Sequence, residues 1–383
     1  MTQRDALPFQ RPCLGEAEAE AVREVLLSGW ITTGPKTRAF EEAFAGFVRA
    51  PFALGLNSCT AGLHLALMAA GVQPGDEVIT TPIGFAASAN VIDHLGARAV
   101  FVDVRPQDLN LDVGRIEAAV TPSTRAILPV HLAGNPCDMA PLLELAQRLG
   151  LPVISDAAHA TDAEYHGRRM GELGDYATFS FYATKPITTA EGGMLTTPHG
   201  EQLDWLRTLS LQGLSRDAWT RFGRDYQHWE IVVAGYKFNM FDVQAALGLV
   251  QLQRAEEFRR QRSRIAAIYD AAFTEIEELA PLRPLAGCTP SHHLYIVLLR
   301  PEAAGMTRDA FMNALQCEGI GVGVHFRALH LHPYYQQKFG YGAGLAPRAE
   351  AASKHILSLP LFNGMRERDA ERVIDAVQRI LRR

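Results

Sequence analysis

A lysine, an aspartate and a short hydroxyl-bearing run each stand at the end of an apolar stretch, where the chemistry of an amine on a phosphate-bearing ligand could be done. The lysine is Lys185, in FYATKPITTAEGG (residues 181–193), reached from ATFSFY and followed at once by Pro186. Proline pushes the preceding residue toward an extended conformation and blocks a helix, so Lys185 is expected in a loop. Of the 37 basic residues only Lys36, Lys185, Lys237, Lys338 and Lys354 are lysine. Where a fixed charge serves, this chain uses arginine. A retained lysine is therefore informative, since only lysine can shed its proton and attack as a nucleophile.

The aspartate is Asp156, after LPVIS (151–155) and three residues before His159. A carboxylate set among apolar residues is costly to bury without a cationic partner; the plain alternative is a helix N-cap. The third group, Ser58-Cys59-Thr60, follows FALGLN and opens AGLHLALMAAG. Free amides and hydroxyls at a helix N-terminus seat phosphate, or they simply cap the helix. Ser180 precedes Lys185 by five residues, and Phe85 lies in TTPIGFAAS just past EVITT. In this order the residues match what pyridoxal phosphate requires. Lys185 offers the amine for a Schiff base and Asp156 an anion for the pyridine nitrogen. Ser58, Cys59, Thr60 and Ser180 offer a phosphate seat, and Phe85 a flat group over the ring.

These positions need a scaffold, and the chain alternates short apolar runs with helical patterns. Candidate strands are FALGLN (52–57), EVITT (77–81), RAVFVDV (98–104), RAILPVH (125–131), LPVIS (151–155), ATFSFY (177–182) and GMLTT (193–197). Helical segments such as MAPLLELAQRLG lie between them, which predicts a doubly wound α/β fold with a mainly parallel seven-stranded sheet. Ligands of such sheets sit at the carboxyl ends of the strands. From Asp242 one long helical stretch leads away. LYIVLL, a helix around RDAFMNALQCEG, a further run VGVHF and a terminal helix follow. The expected division is a large domain over 1–250, with an N-terminal arm, and a smaller α/β domain over 251–383.

A net charge of -5 and a pI near 6.2 give no footprint for nucleic acid or a membrane surface. No apolar run approaches the roughly 20 residues of a membrane span, and no basic-then-apolar leader opens the sequence. The five cysteines (Cys13, Cys59, Cys137, Cys288, Cys317) are scattered without a CxxC pair, which predicts a reduced, cytoplasmic protein without structural zinc. His325, His330 and His332 lack a carboxylate or cysteine at ligand spacing, so no metal is expected. GIGVG (319–323) does not fit G-x-G-x-x-G and reads as a strand start or a turn.

Beyond these single signals, the chain resembles nearly end to end the DegT/DnrJ/EryC1/StrS family of nucleotide-sugar aminotransferases, which are fold-type I pyridoxal phosphate enzymes. The stretches that carry the resemblance are SGWITTGPKTRAFEEAF, NSCTAGLHLAL, PGDEVITTP, AILPVHLAGNPCDM, SDAAHA, FSFYATKPITTAEGGM and GYKFNMFDVQAALG. The tail GIGVGVHFRALHLHPYY with ILSLPLF resembles the branch acting on 4-keto sugars. The resemblance implies that Lys185 carries the cofactor and shuttles the proton, that Asp156 pairs with the pyridinium, that His159 bonds the phenolic oxygen and that Phe85 covers the ring. It implies that Thr60, Ser180 and the amides near Cys59 hold the phosphate. Asn239, in the GYKFNM motif, would reach the partner's phosphate across a homodimer with two shared sites. L-glutamate would be the donor and a nucleotide-linked ketosugar the acceptor. His325 is a substrate contact by resemblance. Trp219, Arg221, His228 and Trp229 form either a surface loop or a cover over the sugar nucleotide, and Trp30 lines the site or staples the arm. Gly84, Pro186 and Ser155 depart from the family's usual threonine, asparagine and glutamate. Relatives that dehydrate ketosugars carry histidine at the lysine position, and Lys185 argues against that branch. The same scaffold also serves cyclitol aminotransferases; a cofactor-binding regulator is the rival of another class, unsupported by any basic patch.

Overall fold

Seven strands build the central sheet of the computed structural model, which describes residues 6–215 and 228–382. They are β1 (Phe52–Leu56), β2 (Glu77–Thr80), β3 (Arg98–Phe101), β4 (Thr124–Leu128), β5 (Ile154–Asp156), β6 (Tyr176–Ser180) and β7 (Gly193–Thr197). Two hydrogen-bonded groups, β1-β7-β6-β5 and β3-β2-β4, are joined by parallel bridges from Ile127 to Val153 and from Val130 to Asp156. β7 alone runs antiparallel, against both β1 and β6; the other pairings are parallel. The carboxyl ends of β1, β2, β5 and β6 therefore share one edge with the amino end of β7. Their apolar runs are buried on both faces, as parallel strands require.

Aromatic side chains lock helix to sheet. The helix Pro35–Val48 drops Phe40 and Phe44 onto Phe181 and Phe179, with ring centroids 5.2 Å apart for Phe40–Phe181 and 5.0 Å for Phe44–Phe179. All four are fully buried, each contributing about 1.5–3 kcal/mol. That helix starts where Asp242 accepts from the amides of Lys36 at 3.1 Å and Thr37 at 2.9 Å.

Past residue 240 the pattern departs from expectation in two places. The single long helix is two, Asp242–Gln253 and Ala255–Phe273, interrupted at Arg254, whose guanidinium donates to Glu18 at 2.9 Å. The corner lets Ala255 and Phe258 pack with the central sheet while Ile265, Tyr269 and Phe273 join a second core. That core covers a three-stranded antiparallel sheet (Leu279–Pro281, Tyr295–Leu299, Ile356–Leu359) with the helices Arg308–Cys317 and Glu367–Leu381. VGVHF is not a strand; it pairs only through Gly323 and Ser358. The N-terminal arm takes the neighbouring partners instead: Leu7 donates to Gly319 at 2.9 Å and accepts from Gly321 at 2.9 Å.

One buried cation ties these parts together. Arg262, 2% exposed, donates from Nε to the Ser291 carbonyl at 2.9 Å and from Nη1 to Asn363 Oδ1 at 2.6 Å. Its Nη2 pairs with the carboxylate of Asp162, which is equally buried. Asn363 in turn donates to the carbonyl of Pro186 at 2.8 Å.

Candidate active site

The shared edge of the sheet opens on a cavity of about 460 Å³, within the range usual for small-ligand sites. Ser58, Cys59, Thr60, Phe85, Asp156, His159, Ser180, Lys185 and His325 all line it. Sequence-distant residues are thereby brought into one chamber by the strand order.

Lys185 leaves β6 through a turn in which its amide donates to the Tyr182 carbonyl at 2.9 Å. Burial lowers its pKa from 10.5 to about 8, while the Asp156 carboxylate pulls the other way. The amine is thus unprotonated far more often near neutrality than an ordinary lysine. Asp156 ends β5. Its Oδ2 accepts from Ser88 Oγ at 2.6 Å and its Oδ1 from the Ala158 amide at 3.1 Å. Burial raises its pKa, opposed by those two bonds and by Lys185. A buried carboxylate facing a cavity is stabilised by a cationic ligand such as a pyridinium.

The helix start expected to seat a phosphate has a physical cause. Ser58 accepts from the Ala61 amide at 3.1 Å and so starts the helix Cys59–Ala69, leaving the first amides turned to the chamber end. Gly193 pairs with Leu56 on one side and Ser180 on the other. A side chain there would stand 2.3 Å from the Ser58 carbonyl carbon and 2.4 Å from the Cys59 nitrogen. Only glycine lets β7 pass this close. A side chain added at Gly84 would meet Val130 at an ordinary 3.5 Å, so the space there would accept a larger residue. Cys59 is no nucleophile here, since burial raises its thiol pKa.

Three histidines complete the wall. His159 and His293 stand with ring centroids 4.5 Å apart, and His293 Nε2 lies 3.5 Å from Lys185 Nζ. His325 Nδ1 bonds Ser358 Oγ at 2.9 Å, and its ring stacks on Phe9 at 5.3 Å. Burial first, then the nearby Lys185 charge, moves His159 and His293 well below 6.5 and His325 down to about 4. All three are neutral at pH 7. His159 Nδ1 is buried with no partner among the described residues, as a nitrogen awaiting a ligand atom would be. Phe85 is 63% exposed at the mouth, with Phe326 beside it at 6.2 Å. The lone ring nitrogen, the facing carboxylate, the amine and the glycine-cleared helix start together fit pyridoxal phosphate.

Other expected site residues lie elsewhere. Asn239 donates to Thr33 Oγ1 at 2.8 Å and accepts from Lys237 at 2.6 Å, and it is not in the chain's own cavity wall. Trp30 donates to the Thr33 carbonyl at 3.2 Å and His228 stacks on Trp229 at 6.2 Å; neither lines the cavity. Arg221 and Trp219 fall outside the described residues. His330 pairs with Glu350 at 3.0 Å, and no group of three or more metal-binding side chains occurs among the described residues. No described helix is long and apolar enough to cross a membrane.

Sequence reasoning missed Ser88, Gln10 and His293. Ser88 carried a faint signal, one helical turn after Phe85. His293 carried none, because SHHLY precedes a strand rather than ending one.

Comparison with known proteins places this architecture. The chain is 47% identical over 380 residues to the spore coat polysaccharide biosynthesis protein SpsC of Bacillus subtilis, covering 98% of this chain and 97% of that protein. The putative sugar aminotransferase Spr1654 of Streptococcus pneumoniae, solved in its PMP form, superposes with a TM-score of 0.93 at 33% identity, covering 98% of this chain and 99% of that one. Its PLP form superposes with a TM-score of 0.92. PseC of Helicobacter pylori, an aminotransferase involved in the biosynthesis of pseudoaminic acid, gives 0.91 at 29% identity over 99% of this chain and all of that one. The molecule is thus a pyridoxal phosphate-dependent sugar aminotransferase of fold type I. Residues 12–378 match the model of the DegT/DnrJ/EryC1/StrS aminotransferase family, and the chain belongs to that family.

Proposed function

We propose that the protein transfers the amino group of L-glutamate to a nucleotide-linked 4-ketosugar in two alternating half-reactions. The observation that supports this best is the meeting of Lys185, with its lowered pKa, and the buried Asp156 in one chamber. Pyridoxal phosphate supplies, when bound, an aldehyde that takes up the amino group and a ring that draws electrons from the substrate carbon.

The chain does the rest. Lys185 holds the cofactor and then carries the migrating proton at Nζ. Asp156, anchored by Ser88, keeps a positive charge on the ring nitrogen. Thr60, Ser180 and the amides of Cys59 and Thr60 hold the phosphate, with Ser58 fixing the helix start. Phe85 covers the ring and excludes water, and His159 Nδ1 is the nitrogen open for the phenolic oxygen. His325 faces the sugar. The substrate class follows the sugar aminotransferase relatives, while Trp30, Arg221 and His228 are candidate contacts to the nucleotide.

Adding L-glutamate to the yellow holoenzyme is expected to bleach it, and a dTDP- or UDP-linked 4-ketosugar should restore the colour with release of an amino sugar. An unchanged spectrum would indicate a binding protein; a deoxygenated product would indicate a dehydratase.

The working unit is proposed to be a homodimer in the cytoplasm. Ile231 (69% exposed), Val232 (60%) and Phe241 (40%), in the same stretch of chain as Asn239, leave large apolar side chains open to solvent, as residues of an interface do. Sedimentation should give twice the 42.0 kDa chain mass, and a fully active monomer would exclude shared sites.

A further inference from the structure

We propose that His293 is a further catalytic residue, accepting a hydrogen bond from Lys185 Nζ and holding that amine in the chamber whenever it is not covalently engaged. The proposal rests on Lys185 being the reacting amine.

The geometry is built, not incidental. His293 is 4% exposed, and its Nε2 is the ring atom facing Lys185 Nζ, at 3.5 Å. Its backbone is fixed at both ends: the amide donates to the Ala133 carbonyl at 3.1 Å and the carbonyl accepts from Gln10 Nε2 at 3.0 Å. The spacing of the pair is set from behind by Arg262. That guanidinium binds the carbonyl of Ser291, two residues before His293, and through Asn363 it binds the carbonyl of Pro186, next to Lys185. A single buried group thus positions both partners.

The direction of the hydrogen bond follows from charge. Burial first, then the charges of Lys185, His159, His325 and Arg262 around it, disfavour protonation of His293, so the ring is neutral. In the Nδ1–H tautomer, Nε2 can only accept, and a protonated amine is the donor. His293 thereby favours the charged form of Lys185. Asp156 acts in the same sense, while burial opposes both; Cys59 and the rings of His159 and His325 complete the surroundings. When Lys185 Nζ takes a proton from the substrate carbon, the N–H so formed is shared with Nε2 and remains on the amine. It would then be available to the cofactor carbon that takes up the amino group, rather than lost to water.

The test begins with cofactor-free protein, so that it does not depend on turnover. The rate at which trinitrobenzenesulfonate modifies Lys185 is followed against pH by peptide mass spectrometry. His293→Ala is expected to shift the midpoint to lower pH, because an acceptor of the charged form is gone. His293→Gln, whose carbonyl can accept, is expected to return most of the shift. A midpoint that is unchanged or raised in His293→Ala would overturn the proposal. In the holoenzyme, His293→Ala should keep its cofactor but bleach with glutamate about 10²-fold more slowly, the low end for loss of an acid–base partner. An unaltered bleaching rate would also count against it. Failure of the underlying reading is seen separately, as activity surviving in Lys185→Ala while the modification midpoint still reports the His293 contact.

Discussion

Lys185→Ala protein is expected to retain the cofactor through gel filtration and to aminate its ketosugar about 10⁴-fold more slowly than the parent, the upper end of what one acid–base group contributes. The large figure follows from the two roles proposed for one side chain, attachment and proton transfer at Nζ. Retention follows from what remains: the helix start at Ser58, the Gly193 passage and the Asp156 carboxylate are all untouched by the substitution. Lys185→Arg should be as inactive, since a guanidinium keeps its proton and cannot serve as a nucleophile. Product formation and cofactor absorbance, measured on one sample, check both halves. Amination at near-parental rate would remove Lys185 from the mechanism.

The second large effect concerns stability. Arg262→Ala is expected to cost about 3–5 kcal/mol, the typical loss when one member of a buried ion pair is removed. Its partner Asp162 is 1% exposed and would be left as an uncompensated charge, while the Ser291 carbonyl and Asn363 Oδ1 would lose their donor. The apolar pair Arg262→Met with Asp162→Leu should recover much of the loss, because replacing both charges removes the desolvation penalty along with the attraction. Urea unfolding of the three proteins separates these outcomes. A loss under about 1 kcal/mol in Arg262→Ala would put the pair in the class of solvent-screened surface bridges.

The positions that could be read from the sequence share a property: each stands at a strand end flanked by its own local pattern. Asp156 follows LPVIS, Ser58 follows FALGLN and Lys185 sits between an apolar strand and a proline. Local chemistry marks such places because a strand's edge and a helix's open end have unmet needs that particular residues fill. His293 is different. It becomes a neighbour of Lys185 only because Arg262 and Asn363 draw two loops together across more than a hundred positions. No pattern within SHHLY encodes that. The insertion of β7 between β1 and β6 is similarly nonlocal, and the glycine at 193 becomes intelligible only once Ser58 is seen against it. The interruption at Arg254 escaped notice because the residues on either side are good helix formers; the corner is held by Glu18, far upstream.

The arm has a consequence for how the chamber comes into being. Gln10 meets the carbonyl of His293 across 283 positions, Leu7 pairs beside Ile320 and Phe9 lies on His325. During synthesis the arm leaves the ribosome long before any of its three partners exists. Closing a loop of that length costs only slightly more entropy than closing one half as long, but it cannot close before the distal segment has been made. The chamber's outer wall is therefore a late product of folding, assembled after the central sheet can have formed. Until then Leu7 and Phe9 are apolar side chains in need of cover.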